Sequence, residues 1–253
     1  MVRFFYALIL AGSFSSFNAA GESISHKHIL NGVGQLVVVV TDGWDSSEGK
    51  LMCFIREGRK SWRPKLKKSI PVMLGSKGLA WGRGVFTETE KKIKKEGDGC
   101  APAGIFKIGK IYGESESLLN KSKYPYHRIT KLDAWVDDPK NPLYNKHVRI
   151  GSRDEVPVWF QSQRMRLGDP AYKWLIEIRH NSDPPKPGYG SAIFFHVQRG
   201  PGRRTTGCTA MKLIDLERLI VFLRKDKNPH YILLPYFEYQ RKIKIMNLPD
   251  FSY

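Results

Sequence analysis

Acidic residues are scarce in this chain. Its 24 Asp plus Glu face 42 Lys plus Arg, a formal net charge of +18 over 253 residues. Such a surface favours polyanionic partners without saying which. Nucleic acid gains nothing beyond the charge itself, because no stacking-aromatic motif and no basic recognition helix accompanies it. Cysteine is sparse too: Cys53, Cys100 and Cys208 are the three. None falls in a Cys-x-x-Cys pair, and there is no His-x-x-x-His, so no metal site and no cofactor is expected. The glycine-rich stretch at 95–109 lacks the Lys-Ser/Thr ending of a phosphate-cradling loop. No apolar run reaches the roughly 20 residues that a bilayer requires. Internal repeats and low-complexity segments are missing as well.

The N-terminus carries a three-part pattern. Arg3 gives a short basic start, residues 4–11 an apolar run, and residues 18–21 a small-residue exit. Residues 1–21 therefore read as a secretory signal, which places the mature protein outside the cytoplasm. The remaining roughly 230 residues suit one large domain, here 28–235, followed by a basic tail at 236–253. In that tail, residues 240–246 suggest a surface strand. An oxidising compartment threatens free thiols. The economical arrangement pairs Cys53 with Cys100 and leaves Cys208 free to react, although spacing alone does not show that the two approach.

Residues 191–211 organise the rest. Ala192, Phe194 and His196 fall on one face of a strand, Ile193, Phe195 and Val197 on the other, so the strand lies buried between two layers. A glycine-punctuated loop follows, and then Gly207-Cys208. A thiol becomes a strong nucleophile when a neighbouring imidazole takes its proton. Twelve residues and a turn separate His196 from Cys208, close enough for the chain to join them. A lone buried cysteine and a satisfied core histidine are the commoner fates of each residue alone. Their pairing with Gly207 in an exported chain favours catalysis.

Other elements can be read in order. Residues 35–41 are dense in valine and precede an Asp42-Gly43 turn, with a returning strand at 50–56. Strands are expected at 70–74, 104–108, 171–179 and 231–235, and a helix after Asp215 with an apolar stripe of Leu216, Leu219, Ile220 and Leu223. Residues 152–167 suggest a short helix. Residues 124–144 suit a long loop or lid. Asp137 and Asp138 within it are adjacent, so a turn role is preferred over a paired-carboxylate hydrolase. The dense basic run at 91–95 reads as a solvated loop.

At His196 to Met211 the sequence resembles the L,D-transpeptidase (YkuD-type) catalytic domain of bacterial cell-wall enzymes. Thr205-Thr206-Gly207-Cys208 occupies that family's Ser/Thr-x-Gly-Cys motif. Glu96-Gly97-Asp98-Gly99, Pro102-Ala103-Gly104, Asp137-Asp138 with Tyr144-Asn145, and Gly190-Ser191 extend the likeness over residues 72–223. The resemblance implies a mostly β (α+β) sandwich or barrel with a few short helices and long loops. It also implies a Cys208 nucleophile, a His196 base, backbone donors near Thr206 and Gly207 for an oxyanion, and Ser191, Tyr144, Asn145 and Tyr126 as substrate-binding residues. Peptidoglycan stem peptides would be the partner and anionic envelope polymers a second one. Thr206 stands where many members have histidine, and Ala210 where many have Asn or Arg. The alternatives to an acyltransferase are an L,D-carboxypeptidase or other wall-peptide amidase on the same pair, and a non-catalytic basic wall-binding module.

Overall fold

The computed structural model describes residues 29–251 apart from 59, 87, 89–91 and 152–154. The export signal expected over 1–21 lies outside the described residues. In chain order the strands are β1 (Gln35–Thr41), β2 (Glu48–Ile55), β3 (Arg63–Pro64), β4 (Ile70–Met73), β5 (Leu79–Trp81), β6 (Ala101–Gly113), β7 (Tyr126–Arg128), β8 (Asp133–Trp135) and β9 (His147–Arg149). Helix α1 (Phe160–Gln163) precedes β10 (Trp174–Ile178), β11 (Phe194–Val197) and β12 (Thr209–Met211). Helix α2 (Leu213–Phe222), β13 (His230–Pro235) and α3 (Tyr236–Met246) complete the chain.

The main sheet runs β1-β13-β6-β10-β11-β12-β4-β2-β3, and β2 also pairs with β1, which closes the path into a barrel. The fold is mostly β with a few short helices, as the sequence implied. The valine run explains β1: it is buried along its whole length, parallel to β13 and antiparallel to β2. β-Branched side chains suit a strand covered on both faces. β8 and β9 form a separate two-stranded sheet.

β6 is much longer than residues 104–108 suggested. Its glycines are not strand breakers. A Cβ at Gly109 would meet the Glu177 carboxylate at 2.2 Å, so the missing side chain makes room for that side chain of the paired strand β10. Residues 124–144 are not one loop, since β7 and β8 lie within them. Of the helix suggested at 152–167, only α1 is helical among the described residues. The helix after Cys208 begins earlier than expected: Lys212 is its N-cap, and Asp215 sits in its first turn without capping it.

Two further expectations are overturned. Cys53 and Cys100 are free thiols. Cys53 faces Val37 inside the barrel, where burial pushes its thiol up to about 12. The Cys100 sulfur donates instead to the Lys77 carbonyl at 3.2 Å. Residues 240–246 belong to α3, not to a surface strand. Alternating isoleucine and lysine imitates a strand there. The face that is buried, however, comprises Glu238, Tyr239, Lys242 and Met246, which is helical spacing. Leu248 and Phe251 beyond it join the same core.

Candidate active site

Side chains leave β11 alternately, and each face feeds a different cluster. Ile193, Phe195 and Val197 enter the barrel core, whereas Phe194 joins Tyr112, Trp135, Met165 and Leu175 in a second cluster against which Cys208 packs. The alternation read from sequence therefore holds, and the Phe194 face is the one that lines a groove. Pairing sets the register: β11 is antiparallel to β10 and parallel to β12, with His196 opposite Ala210. Cys208 stands just before β12, beside Phe194.

The turn that delivers the cysteine is tied by Thr205. Its hydroxyl accepts from Gly207 N–H at 3.1 Å and donates to the Cys208 carbonyl at 2.7 Å. A side chain at Gly207 would sit 3.0 Å from the Cys100 carbonyl oxygen with φ at +155°. Close approach and backbone conformation together select glycine here. Thr205 is itself held to the end of β4, donating to the Leu74 carbonyl at 2.8 Å.

In this state the sulfur's partners are backbone groups. Phe194 N–H donates to it at 3.4 Å, and its S–H donates to the Ala192 carbonyl at 3.4 Å. Burial pushes the thiol up to about 11, against the pull of the Phe194 hydrogen bond and of Arg199 and Lys94. His196 is 8% exposed. Its Nδ1 lies 2.8 Å from the Val197 carbonyl. A carbonyl only accepts, so Nδ1 carries the proton and Nε2 is the basic nitrogen. Burial holds this imidazole below its ordinary pKa, with the Val197 bond acting in the opposite sense.

Cys208, His196, Phe194, Trp135 and Tyr172 line a cleft of about 450 Å³ together with Arg164, Arg166, Arg199, Arg203 and Arg204. Arg199 is fixed by a two-pronged bond to Asp169, at 3.2 and 2.6 Å. A guanidinium cluster of this kind recognises carboxylates. A smaller cleft on the other side of Cys208 is lined by Lys94, Glu96, Asp137, Ser191, Thr206 and Gly207.

Cys208, His196, Thr206, Gly207 and Ser191 are thus brought together. Ser191 and Tyr144 reach Glu96 rather than open space: the Ser191 hydroxyl donates to its carboxylate at 2.8 Å, and the Tyr144 hydroxyl donates to the same oxygen. Asn145 is a buried bracket. Its oxygen accepts from Trp135 Nε1 at 3.1 Å and Ala192 N–H at 3.0 Å, and its amide donates to the His180 and Asn181 carbonyls at 3.0 and 2.8 Å. Tyr126 lies on β7, with its hydroxyl donating to Gly113 at 3.0 Å and its ring on Trp174. It does not line either cleft.

The match to known proteins is at the level of the domain. Residues 40–232 fit the model of the L,D-transpeptidase catalytic domain, YkuD. The chain belongs to that family. No curated protein and no solved structure is significantly similar to it. Membership makes this an L,D-transpeptidase-type peptidoglycan domain, and it gives the groove a context. Where many family members carry Asn or Arg beyond the cysteine, Ala210 lines the groove with a methyl group, and cationic side chains arrive from other segments. Sequence reading missed those arginines, because they are scattered over 164–204. It also missed Lys94, read as part of a solvated run. Lys94 is 2% exposed and bridges Asp98 at 2.5 Å. The signal was available: Glu96-Gly97-Asp98-Gly99 turns the chain so that an acid four residues on reaches the lysine. Of the adjacent acids, Asp138 caps a turn through Lys140 N–H at 2.9 Å, while Asp137 faces the groove.

Proposed function

We propose that the protein is an exported cysteine acyltransferase that cross-links peptidoglycan stem peptides by L,D-transpeptidation. The observation that carries this is the shared groove, in which the Cys208 thiol and an imidazole with its basic nitrogen already selected face a cluster of arginines. A stem peptide enters with its C-terminal D-alanine carboxylate toward the arginines. His196 Nε2 takes the thiol proton as the sulfur attacks the carbonyl that follows the L-centre of the diamino acid. Backbone N–H groups of the Thr206 to Cys208 turn stabilise the oxyanion. Gly207 N–H is already held by Thr205, which assigns most of that task to its neighbours. The C–N bond then breaks, the imidazolium returns its proton to the departing D-alanine amine, and a thioester remains. An amine of a neighbouring stem attacks the thioester, loses a proton to His196 and regenerates the thiol. Water in place of that amine would give L,D-carboxypeptidase activity instead. The wider positive surface holds the protein to anionic envelope polymers.

The test is incubation with purified muropeptides and sacculi, read by mass. Wild-type protein releases D-alanine from a tetrapeptide stem and, with an acceptor amine present, yields a linked product. Cys208→Ala abolishes both. Release that survives this substitution refutes the acyl-enzyme reading. Wall binding with no chemistry in the wild type supports a binding module in its place.

A further inference from the structure

A second cluster of ligand-type side chains lies outside both clefts. His127 on β7, Asp133 on β8 and His147 on β9 converge. His127 Nε2 lies 2.6 Å and His147 Nε2 2.8 Å from the same oxygen, Asp133 Oδ1. The three ligand atoms all lie within 4.8 Å of one another. The second oxygen of Asp133 is otherwise engaged: Oδ2 accepts from Thr130 N–H at 2.8 Å and from the Thr130 hydroxyl at 2.7 Å, with Arg149 at 3.5 Å. Oδ1 is thus aimed at the two imidazoles by a carboxylate that is fully buried and locked in orientation.

Both rings keep an open side, with side-chain exposures of 22% for His127 and 16% for His147. Two imidazoles, one carboxylate and a water-accessible edge make the donor set of a divalent transition-metal site with open positions.

We propose that His127, Asp133 and His147 bind one divalent transition-metal ion of the zinc class. Binding replaces two hydrogen bonds: each Nε2 proton is lost as the ring takes its proton on Nδ1, and the freed lone pairs meet the ion. Zinc–ligand bonds near 2.0–2.1 Å would set each ring nitrogen roughly half an ångström or more farther from Asp133 Oδ1 than it is now. Arg149, 3.5 Å from Asp133 Oδ2, is a nearby cation that limits the affinity. No short motif joins residues 6 and 14 positions apart, so the cluster was not legible in the sequence. Its place in the fold suggests a staple. β7 pairs with the main sheet, whereas β8 and β9 form the small sheet that carries Trp135. The Tyr112 ring touches both imidazoles, at 5.8 and 5.1 Å between centroids, and stands edge-on to Trp135 and Phe194. An ion at this point would fasten one wall of the groove to the barrel.

The test uses the full chain, stripped by chelator and carrying Cys208→Ala so that the groove thiol supplies no ligand. Cobalt(II) is titrated by visible absorption, zinc is added as competitor, and histidine side-chain NMR reads out which rings respond. One equivalent of cobalt is expected, displaced by zinc, with the His127 and His147 resonances shifting and the thermal midpoint rising. Outer-shell partners alone are worth about 10–100-fold in affinity, so His147→Gln, at a partly buried position, should weaken binding by on the order of a hundredfold or more. Binding that is undiminished in His147→Gln and His127→Gln, or a wild-type spectrum with no shift at those two rings, overturns the site.

Discussion

Burial acts on Cys208 and His196 with opposite effects on pKa and the same effect on charge. Raising the thiol to about 11 and depressing the imidazole both favour the neutral form. The resting pair is therefore thiol and imidazole, and in the proposed mechanism the proton would leave the sulfur only as the carbonyl is attacked. The sign for pH dependence follows. The base must be unprotonated, and a depressed pKa keeps it so below its ordinary value of 6.5. We expect kcat/KM to hold through that pH and to fall only at lower values, measured as D-alanine release. With His196→Gln the thiol has no base, and iodoacetamide alkylation of Cys208 should climb about tenfold per pH unit toward a plateau near 11, as thiolate chemistry requires. A rate already flat near the ordinary thiol pKa of about 8.5 would show a thiolate at rest. Asn145 acts at the same scale. It holds Ala192 at φ +53°, a left-handed conformation that costs alanine about 1 kcal/mol or more. That conformation points the Ala192 carbonyl at the sulfur. Asn145→Ala leaves Trp135 Nε1, Ala192 N–H and the Asn181 carbonyl without their partner, so a loss of about 3 kcal/mol or more in urea unfolding is expected. Wild-type stability in that variant would make the bracket irrelevant.

At the scale of elements, what could be read from sequence depended on whether local pattern and tertiary environment agreed. They agree in β1, where valine serves both strand propensity and two-sided burial, and in β11, where period-two alternation separates the groove face from the core face. That Cys208 and His196 line one cleft was legible for the same reason, since a strand, a short loop and a second strand form one local unit. They disagree in β6, where Gly109, just past the short strand expected at 104–108, clears space for Glu177, and in α3, where alternating Ile243, Lys244 and Ile245 concealed a helical face. The groove arginines were not legible, because segments far apart in sequence deliver them. The α3 correction carries its own prediction. Tyr239 is fully buried, packs on Phe251 at 6.1 Å and donates to the Pro249 carbonyl at 2.7 Å. Tyr239→Ala should therefore cost about 3–5 kcal/mol, the range for deleting a buried aromatic ring. A surface strand or loose tail would give a change within about 0.5 kcal/mol in the same thermal or urea melt.

Across the whole molecule the +18 charge has two separable consequences, because part of it converges on the groove and the rest is spread over the surface. Spread charge draws the protein to any polyanion. In the proposed reaction the arginines beside Cys208 would address one carboxylate at a defined place, and Asp169 holds Arg199 in position. Salt separates the two. Screening shortens from about 10 Å at 0.1 M to about 3 Å at 1 M ionic strength, so KM for a tetrapeptide stem should rise with salt while kcat changes little, since the bound carboxylate is shielded from solvent. The comparison that decides is a stem whose terminal carboxylate is amidated. If the groove arginines do the recognising, the amidated stem starts with a higher KM and shows a shallower salt slope, and Arg204→Ala moves the natural stem toward the same behaviour. Equal slopes for the two stems would assign the effect to the general surface charge, with the sacculus rather than the stem terminus as its object.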